Sequence, residues 1–301
     1  MSVLPPVPEL LPLGPSGRMI GPVGWGMWRL AGSRTETAVL VRTAFDAGIN
    51  LLDTADIYGF DGSSGFGDAE CLLGEVLGSD FGLRKRAVIA TKGGIRPPLP
   101  YDQSGAYLHL AIEGSLRRLQ IDCIDLYQIH RPDILAHPQE VARALEDAVH
   151  SGKIASVGVS NFTITQIDAL QHFLTIPLVS TQPEISPLRI NCLENGEIDQ
   201  ALKLGLRPLA WSPLGGGRLI KPGTDRDRAV GAALDAVADD QGVSRSVAAY
   251  SWLMTHPARI VPIIGSQRPE RIAEAAMALS VHWTRQQWYS VLVAARGKKL
   301  P

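Results

Sequence analysis

Residues 35–58 read TETAVLVRTAFDAGINLLDTADIY, and the order of elements in this stretch decides the fold that we predict. Apolar residues recur at helical spacing in its first half, which predicts a helix over Thr35–Ala47. Gly48 follows directly, and glycine commonly ends helices because it adopts the left-handed conformation without strain. A short apolar run, Ile49–Leu52, then predicts a buried strand, and polar residues come after it. The stretch therefore predicts a helix, a turn and a strand whose carboxyl end carries polar side chains.

Similar short apolar runs recur along the whole chain, and many of them are rich in β-branched residues. Their near-continuous hydrophobicity is typical of parallel strands that are buried on both faces. On this basis we predict eight strands: Val23–Gly26, Ile49–Leu52, Ala87–Thr91, Ile124–Ile129, Ser156–Val159, Leu178–Thr181, Arg207–Ala210 and Ile260–Ile263.

Helical patterns with start signals lie between the strands. Pro138 suits the first position of a helix that runs to His150, since a first turn has no use for the N–H that proline lacks. Thr163 and Gln166 have the spacing of a capping box. Further helices are predicted over Tyr107–Leu119, from a cap at Ser244 to Met254, over Pro269–Leu279 and over Thr284–Ala295.

These units together predict a closed (β/α)8 TIM barrel, because eight strand–helix units over about 240 residues match the usual size of that fold. A doubly wound sheet is the alternative, but the chain lacks a Gly-x-Gly-x-x-Gly turn after an early strand, and Gly24–Gly26 is too short to count as one. Leu10–Leu13 and Arg18–Ile20 flank the turn sequence Gly-Pro-Ser-Gly and predict a β-hairpin that caps the bottom of the barrel. We expect residues 1–301 to form one domain.

Composition excludes several classes of protein. The 301 residues are 45% hydrophobic, and the formal net charge is −1, so no global basic field for nucleic acid exists. Three cysteines without a Cys-x-x-Cys spacing fit a reducing compartment. We see no signal peptide, no apolar stretch long enough to span a membrane and no cluster of metal ligands. We therefore expect a cytoplasmic enzyme, monomeric or weakly homo-oligomeric, that uses no metal and binds neither membrane nor nucleic acid.

Polar or aromatic residues follow almost every predicted strand, and active sites of such barrels lie at the carboxyl ends of the strands. Each residue alone is unremarkable, since a lysine at a strand end is usually solvated and a lone histidine is usually structural. The convergence of Asp, Tyr, Lys and His on one rim is not expected by chance. The residues after the second to eighth strands are Asp53 with Tyr58, Lys92, His130, Ser160 with Asn161, Gln182, Trp211 with Ser212, and Gly265 with Ser266.

Four of these residues suggest a specific chemistry. An unperturbed tyrosine has a pKa near 10, which is too high for an efficient acid at neutral pH. A nearby ammonium from Lys92 would lower the pKa of Tyr58, and Asp53 would hold that lysine charged and in place. His130 would orient a substrate oxygen by hydrogen bonding. The four residues predict a site that donates a proton to an oxygen atom.

At this point the sequence resembles the aldo-keto reductase family over about residues 21–278. Five motifs in the same order carry the resemblance: GINLLDTADIYG from Gly48, IATK from Ile89, LYQIH from Leu126, GVSNF from Gly158 and AWSPLG from Ala210. The resemblance implies reversible hydride transfer between NADP(H) and the carbonyl or alcohol of a small aldehyde, ketone or sugar. Tyr58 would be the general acid in reduction and the base in oxidation, and Asp53, Lys92 and His130 would complete a catalytic tetrad.

The resemblance also implies how the cofactor is held. Ser160, Asn161 and Gln182 would bind the nicotinamide carboxamide, and Trp211 would stack on the nicotinamide ring. The stretch from Gly265 would bind the adenosine phosphate, and its arginines favour NADPH over NADH, although NADH is possible. Ala275 departs from the family pattern, in which many members have asparagine. The remaining implied cofactor contacts are the backbone at Gly26, Met27 and Trp28, the turn with Ser212, Pro213, Leu214 and Gly216, and the side chains Ser266, Arg268, Arg271 and Glu274.

Several alternatives are open at this stage. Lys92 could instead form a Schiff base in an aldolase-like barrel, and some relatives are channel-associated subunits that bind cofactor with little turnover. The Gly-rich stretch Phe60–Asp68 either lines or covers the pocket, or is a solvated spacer. A short segment after the last predicted helix suggests an open pocket, for which Trp25, Met27 and Trp28 would supply an apolar wall.

Overall fold

The computed structural model describes residues 3–14 and 17–300. In this part of the chain, a two-stranded antiparallel hairpin precedes eight parallel strands that close into a barrel in chain order. The predicted (β/α)8 barrel with an N-terminal hairpin and a C-terminal helix is confirmed. The hairpin strands are β1 (Leu11–Pro12) and β2 (Met19–Ile20), and the barrel strands are β3 (Gly24–Gly26), β4 (Leu51–Asp53), β5 (Val88–Gly93), β6 (Leu126–Ile129), β7 (Val157–Ser160), β8 (Leu178–Gln182), β9 (Arg207–Ala210) and β10 (Val261–Ile264).

Helices surround the barrel between successive strands. Short 3-10 helices lie at Asn191–Leu193, Gly215–Gly217 and Ala275–Ser280. In the described part of the chain, no helix combines the length and the apolar character needed to cross a bilayer. The α-helices are α1 (Arg34–Asp46), α2 (Asp68–Ser79), α3 (Phe81–Arg86), α4 (Gly105–Leu119), α5 (Pro138–His150), α6 (Ile164–Phe173), α7 (Glu197–Leu204), α8 (Asp225–Gln241), α9 (Arg245–Met254), α10 (Pro269–Glu274) and α11 (Arg285–Arg296).

The hairpin closes the bottom of the barrel. Its side chains Leu11, Leu13 and Ile20 pack in one buried cluster with inward-facing residues from the starts of the barrel strands, such as Leu51 and Val88. This burial explains why the apolar residues flank a turn at the N-terminus. The two central residues of the predicted turn, Pro15 and Ser16, lie outside the described residues.

Five of the eight barrel strands extend further toward their carboxyl ends than the apolar pattern predicts. Asp53, Lys92, Ser160 and Gln182 are the last or next-to-last residues of their strands rather than the first residues of loops. The cause is the parallel backbone ladder. It pairs Gly26 with Asp53 and continues along residues whose side chains are polar. The catalytic candidates therefore stand on rigid sheet.

The helix start signals are largely confirmed. Thr163 and Gln166 form a complete capping box, and Ser244 accepts a hydrogen bond from the backbone of Val247. The helix from Pro269 is shorter than predicted, because it changes after Glu274 into a 3-10 helix. In that segment Ala275 and Ala278 are buried, a spacing that suits the three-residue period of a 3-10 helix.

Other helices gave a weak signal in the sequence. α2 begins after Gly67, which is left-handed and supplies no side-chain cap. α8 has alanine, glycine and charged residues around its surface, yet Thr224 and Asp227 form a capping box that marks its start.

The predicted C-terminal helix is present as α11 and packs on α9. Trp288 of α11 stacks on Trp252 of α9 with ring centroids 4.7 Å apart, and each indole N–H donates to the other residue's carbonyl. Leu292 is also buried.

A buried carboxylate ties the hairpin side of the barrel together. Asp125, just before β6, is 1% exposed and accepts from Arg18 at 2.7 Å, from Arg84 at 3.2 Å and from the backbone N–H of Ile89 at 2.9 Å. Its two oxygens thus join the hairpin, α3 and β5.

Asp125→Ala should lower the free energy of unfolding by about 3 kcal/mol, because it leaves the buried N–H of Ile89 without an acceptor and the largely buried guanidinium of Arg84 without its counter-charge. Urea denaturation measures the change. Asp122→Ala, at an exposed neighbouring position, is the matched control and should change it little. Equal stability of the two variants would contradict this role of Asp125.

Candidate active site

The structure brings the four predicted residues together at the mouth of the barrel. The ammonium of Lys92 donates to Asp53 Oδ2 at 2.7 Å, to Tyr58 Oη at 3.3 Å and to the carbonyl of Thr54 at 2.9 Å. The rings of Tyr58 and His130 meet edge to face, with centroids 5.7 Å apart. A buried cation, an acid, a phenol and an imidazole therefore form one continuous cluster.

Backbone hydrogen bonds place these side chains. Asp53 and Lys92 lie at the ends of neighbouring paired strands. The N–H of Asp56 donates to the carbonyl of Lys92 at 3.0 Å, which holds the turn that carries Tyr58 against β5. The N–H of His130 donates to the carbonyl of Gly93 at 2.9 Å. The ends of β4, β5 and β6 thus fix the geometry of the cluster.

The second oxygen of Asp53 is held from across the barrel. Gln182 donates to Asp53 Oδ1 at 2.9 Å, and Gln128 does so at 3.5 Å. Ser180 in turn donates to the side-chain oxygen of Gln128 at 3.2 Å. We did not predict Gln128, although it stands two residues before His130 in β6 and so shares its face of the strand.

Charge and burial set the protonation states. Burial lowers the pKa of Lys92, but Asp53 and Tyr58 together, through charge and hydrogen bonding, outweigh this effect and leave the pKa above its ordinary value. Burial, followed by the positive charges of Lys92 and Arg131, holds the pKa of His130 well below 6.5. At neutral pH the site therefore contains an ammonium and a neutral imidazole, which can donate a hydrogen bond to a substrate oxygen.

The predicted pKa shift of Tyr58 is wrong in sign. Lys92 does lower the pKa of the Tyr58 hydroxyl, but burial raises it more, and the pKa lies above 10. Burial of this hydroxyl depends on the assembled mouth of the barrel and is not visible in the spacing of residues. Tyr58 is therefore protonated at neutral pH, as a proton donor must be.

The residues predicted to contact the nicotinamide lie beside the tetrad, and among them Ser160, Asn161 and Trp211 are joined by hydrogen bonds. Asn161, in a left-handed conformation at φ 61°, donates to Ser160 Oγ at 2.9 Å and to the carbonyl of His130 at 3.2 Å. Its side-chain oxygen accepts from the indole N–H of Trp211 at 3.0 Å. The Trp211 ring, which is half-buried, is thereby held in a fixed orientation next to the tetrad.

The turn after Trp211 has an unusual backbone. Ser212, Gly215, Gly216 and Gly217 all have positive φ. A Cβ on Gly216 would meet open space, whereas one on Gly215 would press on Leu188. The segment is therefore a tight 3-10 turn in which Gly215 and Gly217 donate to backbone carbonyls while the backbone at Gly216 borders open space, an arrangement that suits contact between main-chain dipoles and an anion.

Two arginines in the stretch after β10 differ in whether their guanidinium groups have hydrogen-bond partners. The guanidinium of Arg268 donates to Glu270 Oε1 at 2.6 Å, and the backbone N–H of Arg268 donates to Ser266 Oγ at 3.2 Å. Among the described residues, the guanidinium of Arg271 makes no hydrogen bond or ion pair, and only its backbone N–H donates, to the carbonyl of Arg268 at 3.0 Å. The side-chain amide of Gln267 is buried without a partner in the same set of residues. An uncommitted guanidinium and a buried amide fit a phosphate-bearing ligand.

The first strand end differs from expectation. The side chains of Trp25 and Met27 are fully buried in the core between barrel and helices, so they supply no pocket wall. The indole of Trp25 instead donates to the carbonyl of Ser266 at 2.9 Å, which joins β3 to the stretch after β10. Trp28 is 56% exposed, and the guanidinium of Arg29 lies 4.4 Å from its ring centroid.

Comparison with known proteins agrees with this geometry. The model of the Aldo/keto reductase family matches residues 22–292. The chain belongs to the aldo/keto reductase family. It is therefore an oxidoreductase of that family, and the predicted family membership is confirmed.

Relatives of this aldo/keto reductase align over nearly all or all of its length. A protein of Novosphingobium aromaticivorans named 6-dehydroglucose reductase is 68% identical over 304 residues, with 100% of both chains aligned. A protein of Agrobacterium fabrum with the same name is 37% identical and covers 92% of this chain and 94% of its own. An aldo/keto reductase from Klebsiella pneumoniae, solved with NADP and acetate, superimposes with a TM-score of 0.79 over 95% of this chain and 94% of its own; at 24% identity it shows the shared fold.

A second polar cluster lies on the other side of the barrel wall, behind the tetrad. Thr91 alternates with Lys92 along β5, so it faces the helices and donates to Glu70 at 2.5 Å. Arg118 binds the same carboxylate at 2.7 Å. Asp56 is also fully buried, and neither of its oxygens has a hydrogen-bond partner among the described residues. We did not predict this cluster.

Asp56→Asn should stabilise the protein increasingly as pH rises above 4. Burial and the charge of Glu70 raise the pKa of Asp56 well above its ordinary value, whereas the unfolded carboxyl ionises near 4. The wild type therefore loses stability between these two pKa values, by about 1.4 kcal/mol per pH unit, and the asparagine variant does not.

Thermal unfolding from pH 4 to pH 8 measures the effect as a growing Tm difference between variant and wild type. Asp122→Asn, at an exposed position, should show no such growth. A Tm difference for Asp56→Asn that stays constant with pH would refute the proposed neutral state of Asp56.

Proposed function

We propose that this protein is an NADPH-dependent reductase of a sugar aldehyde, 6-dehydroglucose, with Tyr58 as the general acid. The observation that carries the reaction is the buried Lys92 ammonium, bound to both Asp53 Oδ2 and Tyr58 Oη. Support for the substrate comes from the relative of the same name that is 68% identical over the whole chain. By its name this substrate is glucose with an aldehyde at C6, so the product would be the primary alcohol.

The residues of the tetrad divide the work. NADPH, when bound, supplies the hydride for the carbonyl carbon. The neutral His130 donates a hydrogen bond to the carbonyl oxygen and orients it, because its depressed pKa keeps it uncharged. Tyr58 transfers its hydroxyl proton to that oxygen, and the adjacent ammonium of Lys92 stabilises the phenolate that remains. Asp53 keeps Lys92 charged throughout.

The residues around the tetrad fit NADPH. Ser160, Asn161 and Gln182 present polar groups beside Trp211, whose ring would stack on the nicotinamide. The open backbone at Ser212, Pro213, Leu214 and Gly216 would hold the pyrophosphate. Arg271 and Ser266 would bind the 2′-phosphate, with Glu274 near the adenine and the backbone of Gly26–Trp28 alongside.

A Schiff-base mechanism at Lys92 is disfavoured by the same geometry. Such a lysine must be a neutral amine to attack a carbonyl. Here Asp53 and Tyr58 together outweigh the effect of burial and raise the pKa of Lys92 above its ordinary value, and three acceptors hold the ammonium.

The direct test is NADPH consumption with 6-dehydroglucose, with other aldehydes, ketones and sugars in parallel, and NADP+ reduction with the corresponding alcohols. We expect turnover with 6-dehydroglucose to exceed turnover with unrelated carbonyls. Binding of NADPH without turnover of any carbonyl would instead support a cofactor-binding module.

Tyr58→Phe should lower kcat for reduction by at least about a hundredfold, because only the proton donor is removed. The Kd for NADPH, from fluorescence titration, should stay within about twofold. Tyr289→Phe on α11, a matched loss of one hydroxyl far from the site, is the control. Normal turnover by Tyr58→Phe would overturn its role as the acid.

Arg271→Ala should weaken NADPH binding by about tenfold or more and leave NADH binding nearly unchanged, since a guanidinium–phosphate contact is lost. Arg268→Ala is the matched control and should have a smaller effect, because Glu270 already engages that guanidinium. Titration of both variants with both cofactors gives the four constants. Equal NADPH affinities of wild type and Arg271→Ala would remove Arg271 from the phosphate site.

A further inference from the structure

A row of residues at the level of Lys92 crosses the inside of the barrel. Lys92 of β5 pairs in register with Gln128 of β6. Gly158 of β7 pairs with Gln128 on one side and with Ser180 of β8 on the other. Gln128 and Ser180 are both 0% exposed. Because interiors of this fold are usually filled by branched apolar side chains, packing alone does not account for an amide and a hydroxyl here.

Gly158 leaves the space in which these two polar side chains meet. A Cβ on Gly158 would collide with Ser180 Oγ and would lie 3.3 Å from Gln128 Cγ. Since the glycine has no side chain, the hydroxyl of Ser180 reaches across β7 and donates to Gln128 Oε1 at 3.2 Å. Side chains of two strands that are not neighbours are therefore joined by a buried hydrogen bond.

This hydrogen bond decides which end of the Gln128 amide faces Asp53. Because Oε1 accepts from Ser180, Nε2 is turned toward Asp53 and donates to its Oδ1 at 3.5 Å. A flipped amide would set its oxygen against the carboxylate. Gln182 donates to the same carboxylate oxygen at 2.9 Å. Two amides thus compensate Oδ1, while Oδ2 accepts from Lys92 at 2.7 Å.

We propose that Gln128 is a positioning residue that fixes the carboxylate of Asp53 and thereby holds the Lys92 ammonium. Gln128 is fully buried, so it touches neither cofactor nor substrate and acts only through Asp53. Ser180 keeps the amide in the orientation that this role requires. The inference rests on the proposed function and deepens it, since Lys92 donates to the hydroxyl of Tyr58, the proton donor of that reaction.

The charges that act on Tyr58 set the sign of the expected effect. Burial raises the pKa of Tyr58 most, the charges of Lys92 and Arg131 lower it, and the charge of Asp53 raises it. An amide that donates to Asp53 offsets part of that negative charge. Removal of the amide should therefore raise the pKa of Tyr58 further.

Titratable groups on the neighbouring elements are left in place by this change. His130 is uncharged, because burial and the charge of Lys92 hold its pKa well below 6.5. Glu70 at the start of α2 binds Thr91 and Arg118 on the other side of the barrel wall, in the cluster that also contains Asp56.

The test uses the double variant Gln128→Leu/Ser180→Ala. It removes the donor and the acceptor of one buried hydrogen bond together, so the free energy of unfolding should change little. We expect kcat for reduction to fall by about tenfold, because a catalytic group is less well placed, while the Kd for NADPH stays within about twofold. Ser180→Ala alone should have a smaller effect of the same sign, since it leaves the amide of Gln128 present without a fixed orientation.

The pH profile of alcohol oxidation separates positioning from a purely structural role. In that direction the ionised Tyr58 is the base, so kcat rises with pH through its pKa. In the double variant the midpoint should move to higher pH by about half a unit. Gln200→Leu on α7, which removes a buried amide that donates to Asp168 at 2.6 Å, is the matched control and should keep the wild-type kcat and midpoint. A wild-type midpoint in the double variant would show that Gln128 only fills space.

Failure of this proposal can be told apart from failure of the proposed function. The comparison uses any carbonyl and alcohol that the wild type turns over, so it does not depend on 6-dehydroglucose as the substrate. If the wild type turns over no carbonyl, the proposed function fails, and the pKa of Tyr58 is measured by carbon NMR of isotope-labelled tyrosine, assigned with Tyr58→Phe. A higher pKa in the double variant than in the wild type supports the role of Gln128, and equal pKa values exclude it.

Discussion

A charged amine that is withdrawn from water must be paired, and the site of this protein is arranged around that requirement. The Lys92 side chain is 1% exposed, and its ammonium is surrounded by Asp53, Tyr58 and the carbonyl of Thr54. Separating Lys92 from Asp53 would leave two buried charges without their partners. The ion pair therefore holds the ends of β4 and β5 together. The other oxygen of Asp53 extends the same constraint across the barrel to Gln182.

The barrel wall divides the polar residues at this edge into two clusters with different chemistry. Lys92 points inward to the tetrad, and Thr91 points outward to Glu70, because side chains alternate along β5. The outer cluster continues through Arg118 to Phe66 in the loop after Tyr58. A buried carboxylate outside the barrel therefore supports a contact of the loop that follows the catalytic tyrosine candidate.

Much of the architecture was predictable, because parallel strands buried on both faces have a strong local signature. The errors arise where the local pattern of side chains does not report the backbone pairing or the tertiary packing. The strand ends at Asp53 and Lys92 were placed too early because polar side chains interrupt the apolar pattern while the backbone ladder continues. The sequence predicts Met27 as a pocket residue, yet its side chain packs in the core between the barrel and the helices. Gln128 was overlooked because an amide inside a strand has no distinctive local pattern.

The sequence by itself determined the order of strands and helices, the caps at Thr163 and Ser244, and the candidates Asp53, Tyr58, Lys92 and His130, since these depend on periodicity and on residue type at strand ends. The tertiary structure alone decided which atoms meet and how they are charged. The pKa of Tyr58 rises although Lys92 is adjacent, and His130 is neutral, because burial arises from the packing of segments that are distant in the chain. A surface cavity lined by Phe60 and Arg96 likewise forms only where the loops after the paired strands β4 and β5 come together.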